Sequence, residues 1–249
     1  MIVLFDVGNS NIKIGIADKF DVKQMYRLKS EIHKTADEYY LIIRNLIPEN
    51  EVEGVIISSV VPELTSILTT MSNDYFDVDP IIFGQGIKTG IMLKADNPRE
   101  VGADLIADSV GATMYGDKVL VIDLGTASKF IYVENKVFKG CIITPGAQTS
   151  LNSLVSSTAL LPKIQIKAPK KVLGNNTISC MQSGITYGFA SMIDGFIERI
   201  KKEVEEENIT VVATGGLIHE IIPLCNHSII SDDFLTLKGM LQVYLKNIE

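Results

Sequence analysis

Apolar residues in this chain gather into short runs closed by small polar turns, and elsewhere they space out to a helical period. The runs at 2–7 and 11–17 flank Gly8-Asn9-Ser10 and predict a β-hairpin, with 22–28 as a third strand. Over 34–47 the positions Tyr39, Tyr40, Ile43, Leu46 and Ile47 follow a helical repeat that stops at Pro48. Val55-Ile-Ile-Ser-Ser-Val-Val61 reads as a buried strand, Pro62 suits the first turn of a helix over 62–72, and 78–83 reads as another strand. The order is β-β-β-α-β-α-β.

The second half echoes that order. Strands are expected at 118–123, 128–134 and 136–143, and a helix begins near Pro145-Gly146. A long helix over 177–207 follows, then a strand at 209–213, a helix from Leu217, a strand at 228–230 and a last helix over 232–247. The stretch 158–174, with Pro162, Pro169 and interspersed lysines, reads as an exposed excursion, and its basic part, 163–171, as a solvated loop. Residues 84–98 read as a connector and 102–115 as a helix crossing between the halves. The chain therefore divides into 1–98 and 99–249, the latter carrying the inter-half helix. Mixed halves with helices covering sheets belong to the α/β or α+β layered architectures.

The repetition extends to the turns. Ile2-Val-Leu-Phe-Asp-Val-Gly-Asn-Ser-Asn-Ile-Lys-Ile-Gly-Ile16 aligns without a gap on Val119-Leu-Val-Ile-Asp-Leu-Gly-Thr-Ala-Ser-Lys-Phe-Ile-Tyr-Val133. Asp6 falls on Asp123, Gly8 on Gly125 and Asn9 on Thr126. Duplication alone preserves hydrophobic pattern; an acidic residue followed by glycine at both strand ends points to a nucleotide held between related halves. Glycine at position 8 lets backbone amides approach an anion, with positive φ available. Asp6 suits magnesium, and Asn9, Ser10 and Lys13 offer donors and a cation to phosphate oxygens. Val211-Val-Ala-Thr-Gly-Gly-Leu217 is a third piece, a strand and small-residue turn leaving room for a nucleoside at Gly215-Gly216 beside a helix N-terminus. Asp104, after the bend Gly102-Ala103, admits two roles: general base toward an attacking hydroxyl, or helix cap, with the cap the commoner use of such a residue.

Composition narrows the field. The net charge of −7 and a pI near 5.1 give no invitation to nucleic acid or an anionic membrane surface. No apolar stretch is long enough for a membrane span, and Asp6 interrupts the first run too early for a signal peptide. Cys141, Cys180 and Cys225 have neither disulfide nor metal-knuckle spacing and read as buried reduced thiols of a cytoplasmic protein. His33, His219 and His227 lack metal-ligand spacing. Gly84-Gln-Gly86 with Lys88-Thr89 is neither a P-loop nor a dinucleotide fingerprint, because the glycine spacing is wrong.

Taken in order, Asp6-Val-Gly-Asn-Ser-Asn-Ile-Lys13, Gly102-Ala-Asp104, Asp123-Leu-Gly-Thr126, Asn176-Thr-Ile-Ser-Cys-Met-Gln-Ser-Gly184 and Thr214-Gly-Gly216 resemble the type III pantothenate kinases, of the sugar kinase, Hsp70 and actin superfamily. The resemblance spans nearly the whole chain, including Pro145-Gly146 and Thr158-Ala-Leu-Leu-Pro162. It implies two ribonuclease-H-like (actin-like ATPase) halves, a homodimer, and ATP-dependent phosphorylation of pantothenate in coenzyme A biosynthesis. Carried over, Asp6 to Lys13 hold ATP phosphates and magnesium, and Asp104 is the catalytic base. Asp123 holds a potassium or ammonium ion, Thr126 contacts ATP, Gly215 and Gly216 face the nucleoside, and Thr177 contacts pantothenate alongside Gly102 to Leu105.

The chain also departs from the family pattern. Arginine normally follows Gly-Ala-Asp and grips the pantothenate carboxylate; Leu105 stands here. Lys94, Ala95 and Asp96 stand where a tyrosine is usual before Asn-Pro. The second motif reads Gly125-Thr-Ala-Ser-Lys129 rather than Gly-Thr-Ala-Thr-Thr. Lys94 or Lys129 can replace the missing carboxylate partner, or Lys129 can supply in cis the monovalent charge. The competing readings are a paralogue phosphorylating another small hydroxyl compound and a non-catalytic nucleotide-binding accessory protein.

Overall fold

The computed structural model describes residues 1–47, 51–84 and 86–248; Pro48, the expected stop of the first helix, lies outside them. In chain order the first elements are β1 (Ile2–Val7), β2 (Asn11–Ala17), β3 (Val22–Lys29), α1 (Ala36–Ile43), β4 (Gly54–Ser59), α2 (Pro62–Phe76), β5 (Ile81–Ile82), β6 (Met92–Leu93) and α3 (Ala103–Ala112). Then come β7 (Lys118–Leu124), β8 (Ala127–Glu134), β9 (Val137–Pro145), α4 (Ala147–Ser156), α5 (Thr177–Glu203), β10 (Thr210–Gly215), α6 (Ile218–Ile221), β11 (Ile230–Ser231) and α7 (Leu235–Ile248).

The two sheets share a five-strand core of one topology. The first has the order β3-β2-β1-β4-β5, and the second runs β6-β9-β8-β7-β10-β11, with β6 added at one edge. In both, the central strand pairs antiparallel with its hairpin partner and parallel with the strand on its other side. This is the β-β-β-α-β-α pattern twice over, a mixed α/β fold.

Contacts divide the chain into two units. The first holds Met1–Met114, Lys136–Phe138 and the residues from Phe234 onward; the second holds Tyr115–Asn135 and Lys139–Asp233. The helix expected to cross between halves, α3, therefore clusters with the first unit, as does the C-terminal helix α7. Sequence distance hides this association, which small residues make possible.

A β-carbon at Gly239 would lie 1.9 Å from the Ala107 carbonyl oxygen, and one at Gly111 2.6 Å from that of Leu235. The backbones of α3 and α7 touch because neither glycine has a side chain. Thr236 adds a buried hydrogen bond, its hydroxyl donating to Asp108 Oδ1 at 2.6 Å. Gly239→Ala is expected to lower unfolding free energy by about 1–3 kcal/mol through overpacking. A denaturant titration would show the shifted midpoint; an unchanged one would mean that the helices are not in backbone contact.

With helices on both sides, β1 is buried along its whole length. Val3, Phe5 and Val7 pack with Tyr39 and Ile43 of α1 and Leu64 and Leu68 of α2. Ile2 and Leu4 pack with Val110 of α3 and Leu237 and Met240 of α7. Each fully buried aliphatic side chain contributes about 1.5–3 kcal/mol relative to exposure. In the second unit Leu120, Ile122 and Leu124 of β7 face Met181, Ile185 and Ile193 of α5 and Ile218 of α6.

Local chemistry sets the ends. The Thr35 hydroxyl accepts from the Glu38 amide while the Glu38 carboxylate accepts from that of Thr35, a capping box that starts α1. Pro62 opens α2, and Asp77, at φ 54°, closes it, carrying the helix past the expected 62–72. The strand expected at 78–83 shrinks to Ile81–Ile82 after Pro80, which has no amide to donate. Glu205, at φ 54°, lies beyond the end of α5, so the helix expected to reach 207 stops at Glu203. Pro223 confines α6 to one turn, followed by a 3-10 turn at Ile222–Leu224. The excursion 158–174 carries no helix or strand; its Lys163 and Lys167 are exposed while Leu161, Ile164 and Ile166 pack onto the second core. It is thus only partly the exposed loop expected. Asp232 is buried ahead of α7, accepting from the Tyr115 hydroxyl at 2.6 Å. Burial and that carboxylate hold the phenol well above its ordinary range.

Candidate active site

The first unit presents a carboxylate clamped by a lysine at the end of its central strand. Asp6 and Lys13 face each other across the β1–β2 ladder, and Lys13 Nζ lies 3.2 Å from Asp6 Oδ2. On the other side β4 sets Ser58 level with Asp6. Ser58 Oγ is buried with no hydrogen-bond partner, an orphan polar atom beside the carboxylate. Such an atom in a native core calls for a ligand or ordered water. Ser58 was legible only as part of a buried strand; a serine pair inside an aliphatic run was the signal.

The turn above Asp6 is held from three sides. The Gly8 amide donates to the Asn11 carbonyl at 3.0 Å, the Ser30 hydroxyl donates to the Gly8 carbonyl at 2.6 Å, and the Ser30 amide donates to the Ser10 carbonyl at 3.1 Å. Two expectations are corrected here. Gly8 is not among the residues with positive φ, and its own amide is used within the turn. What glycine provides is closeness, since a β-carbon there would sit 3.2 Å from the Asn11 oxygen. Asn9 and Ser10 are exposed at the tip.

The second hairpin repeats the clamp more tightly. Asp123 pairs across the ladder with Lys129, whose Nζ lies 2.6 Å from Asp123 Oδ2; the side chains are 8% and 11% exposed respectively. The ungapped alignment sets Lys129 against Ile12 and hides this equivalence. Asp6 and its partner are seven positions apart, Asp123 and its partner six. A turn one residue shorter brings Lys129 to the position that Lys13 holds in the first hairpin.

Around Asp123 the second unit gathers the other nucleotide-site candidates. Thr214 of β10 is level with Asp123 and Gly215 with Leu124. Gly215 adopts φ 106°, and a β-carbon there would lie 2.6 Å from the Leu124 carbonyl oxygen, so both backbone angle and space require glycine. Gly216 is exposed beside it. Asp123 Oδ1 and Thr214 Oγ1 are buried without hydrogen-bond partners.

The start of α4 grips the Gly125-Thr126 turn. The Gly146 amide and the Thr149 hydroxyl both donate to the Thr126 carbonyl, at 3.0 and 2.7 Å. A β-carbon at Gly146 would come within 2.2 Å of the Gly125 oxygen. Gly146 was legible as a helix start and Thr149 not at all.

Asp104 stands in the first turn of α3, after the N-cap Gly102 and Ala103. Its Oδ1 accepts from the adjacent Leu105 amide at 2.9 Å, but the N-cap is Gly102 and no side chain caps the helix, so Asp104 is not the cap that the sequence offered as an alternative. Leu105 is 7% exposed and belongs to the core, not to a polar pocket. Thr177 is the exposed first residue of α5, whose N-cap Asn176 exchanges hydrogen bonds with Ser179.

The cysteines correct another expectation: Cys141 and Cys180 are exposed, and only Cys225 is half-buried, its thiol pushed up to about 12 by desolvation. No helix among the described residues is long and apolar enough to cross a membrane.

Comparison with known proteins adds the following. The family model of the type III pantothenate kinases matches residues 2–199. A type III pantothenate kinase of Acholeplasma laidlawii (strain PG-8A) is 47% identical over 249 residues, covering 100% of both chains. Among solved structures, a protein of Campylobacter jejuni described as a Baf family transcriptional activator superposes with a TM-score of 0.64 at 18% identity, covering 99% of this chain and 98% of that one. Component A of the (R)-2-hydroxyglutaryl-CoA dehydratase of Acidaminococcus fermentans gives a TM-score of 0.58 at 15% identity, covering 100% and 99%. At such identities these structures speak for the fold, which is consistent with duplicated ribonuclease-H-like halves.

Proposed function

Because this chain belongs to the type III pantothenate kinase family, we propose that its paired hairpins and the α3 carboxylate divide the work of that reaction. The reaction is transfer of the γ-phosphoryl group of ATP to the hydroxyl of pantothenate, giving 4'-phosphopantothenate in coenzyme A biosynthesis. The observation that carries the assignment is the repeated clamp, Asp6 with Lys13 and Asp123 with Lys129, at the same place in two sheets of one topology.

In the first unit Asp6, Gly8, Asn9, Ser10 and Lys13 are the candidates for the ATP phosphates; in the second unit Thr126 is a candidate ATP contact. Gly215 and Gly216 take the nucleoside, where no side chain obstructs a flat group. Asp6, with the orphaned Ser58 hydroxyl beside it, would fit a magnesium ion of the water-rich kind once Lys13, now 3.2 Å from its Oδ2, turns to the phosphate oxygens. Held there, the ion would offset the charge of the phosphate oxygens. The pantothenate hydroxyl attacks the γ-phosphorus, its proton passes to Asp104, and the β,γ-bridging oxygen leaves with ADP.

Asp123 as a seat for free potassium or ammonium does not fit this chain. An ammonium group already lies against its Oδ2. Two like charges about 4 Å apart repel by about 4 kcal/mol at an effective dielectric near 20.

On the acceptor side Gly102, Ala103 and Asp104 of the first unit face pantothenate, Lys94 is the partner of its carboxylate, and Thr177 of the second unit is a separate candidate contact. Lys129 is engaged with Asp123, Leu105 has no charge, and Lys94 is exposed at the end of β6, its amide donating to Phe138 at 3.0 Å. Lys94→Ala is expected to raise KM for pantothenate about tenfold with little change in kcat, the loss of one exposed charge contact. Steady-state kinetics with pantothenate varied would check it, and an unmoved KM would exclude Lys94. Exposed Ile143, Leu160, Val172, Leu173 and Ile178 in the second unit support a homodimer.

The test of the whole reading is phosphorylation of pantothenate by the purified chain with ATP and magnesium. Nucleotide binding without pantothenate turnover would move the search to another hydroxyl substrate, the alternative that Leu105 favours.

A further inference from the structure

We infer that Lys129 is a tethered monovalent cation: its ammonium group occupies the charge position at Asp123, so the second hairpin needs no potassium or ammonium ion from solution. The inference rests on the reading of Asp123 as part of the ATP site.

Three observations carry it. Lys129 and Asp123 are both buried and meet at 2.6 Å, ion-pair contact rather than chance proximity of surface chains. The contact is built by the backbone, because the two residues are register partners and the shortened turn fixes that register. The first hairpin holds the same arrangement at Asp6 and Lys13, so a lysine facing the strand-end carboxylate is a repeated device of this chain. A primary ammonium carries the charge of a single monovalent ion and donates to the same oxygens. Tethering removes the need to recruit that ion from solution. Asp123 Oδ1 and Thr214 Oγ1 stay unpartnered beside it, which leaves hydrogen-bonding capacity for the nucleotide.

The experiment measures magnesium–ATP affinity and melting temperature for the intact chain in potassium, ammonium and tetramethylammonium chloride at equal ionic strength. Wild-type protein is expected to show the same affinity and melting temperature in all three. Lys129→Thr is expected to bind ATP about tenfold more weakly in tetramethylammonium, with potassium or ammonium restoring affinity and raising the melting temperature. Lys129→Arg, which keeps the charge, is expected to stay indifferent to the salt. Wild-type affinity that rises with potassium, or a Lys129→Thr protein indifferent to it, overturns the inference. If Lys129→Thr does not fold, the wild-type comparison decides alone.

Pantothenate phosphorylation assayed in the same salts separates the two readings. Turnover only with potassium would overturn the tethered cation and leave the kinase standing. ATP binding indifferent to salt without pantothenate turnover would do the reverse.

Discussion

Asp104→Asn is expected to lower kcat for pantothenate phosphorylation by about 10²–10⁴-fold while leaving ATP affinity and melting temperature near their wild-type values. The substitution separates the two roles that a carboxylate can have at this position. Asparagine keeps an oxygen to accept the Leu105 amide, so the first turn of α3 retains the contact now made at 2.9 Å. It removes the negative charge and with it the capacity to take a proton. A structural role predicts the opposite pattern, with unaltered turnover per folded molecule. Asp104→Ala is the companion variant: both substitutions delete an acidic group from the positive end of the helix, at about 0.3–1 kcal/mol, and alanine also deletes the acceptor of the Leu105 amide. Single-turnover kinetics beside thermal melts would read both quantities, and full turnover by Asp104→Asn would remove the carboxylate from the chemistry.

Much of this architecture was legible because hydrophobic runs and their punctuation agree. Gly8-Asn9-Ser10 between two aliphatic runs could only be a hairpin turn, and β1 and β2 match their expected limits. The duplication was legible for the same reason, down to the paired aspartates. Parallel edge strands were less so: β5 and β11 have two residues each, too few to show a period. Nor does local pattern report long-range packing. That α7 joins the first unit depends on Gly111 and Gly239 letting backbones touch, and a lone glycine in a helix carries no address.

The candidate site was proposed from residue types, and its register was harder to read. Asp6, Asp123 and the diglycine turn were found by motif, but the partner of Asp123 was obscured by an alignment that allowed no gap at the turn. Side-chain period two makes a one-residue difference decisive, since it selects which residue faces the carboxylate. Ser58 and Thr149 were missed for another reason. A single hydroxyl inside a strand or helix is ordinary in sequence and becomes informative only when its partners, or their absence, are seen.

The clamp at Asp123 makes a strong claim on stability. Asp123→Asn is expected to lower unfolding free energy by about 3–5 kcal/mol, because it leaves the Lys129 ammonium buried without its counter-ion. Lys129→Met should likewise strand the carboxylate. Removing both charges together should cost less than the sum of the singles, with a coupling of about 0.5–3 kcal/mol. Burial is what decides the size. The side chains at Asp123 and Lys129 are 8% and 11% exposed, against 12% and 18% for Asp6 and Lys13 at a longer 3.2 Å. The pair Lys23–Asp18 shares that 3.2 Å separation but is 54% and 48% exposed, and Lys23→Ala should change stability by no more than about 1 kcal/mol. Denaturant unfolding of these variants tests a ranking rather than one number: Asp123 above Asp6, and both above the surface pair. If Asp123→Asn unfolds at the wild-type midpoint, Lys129 reaches solvent easily and is not a fixed charge beside Asp123.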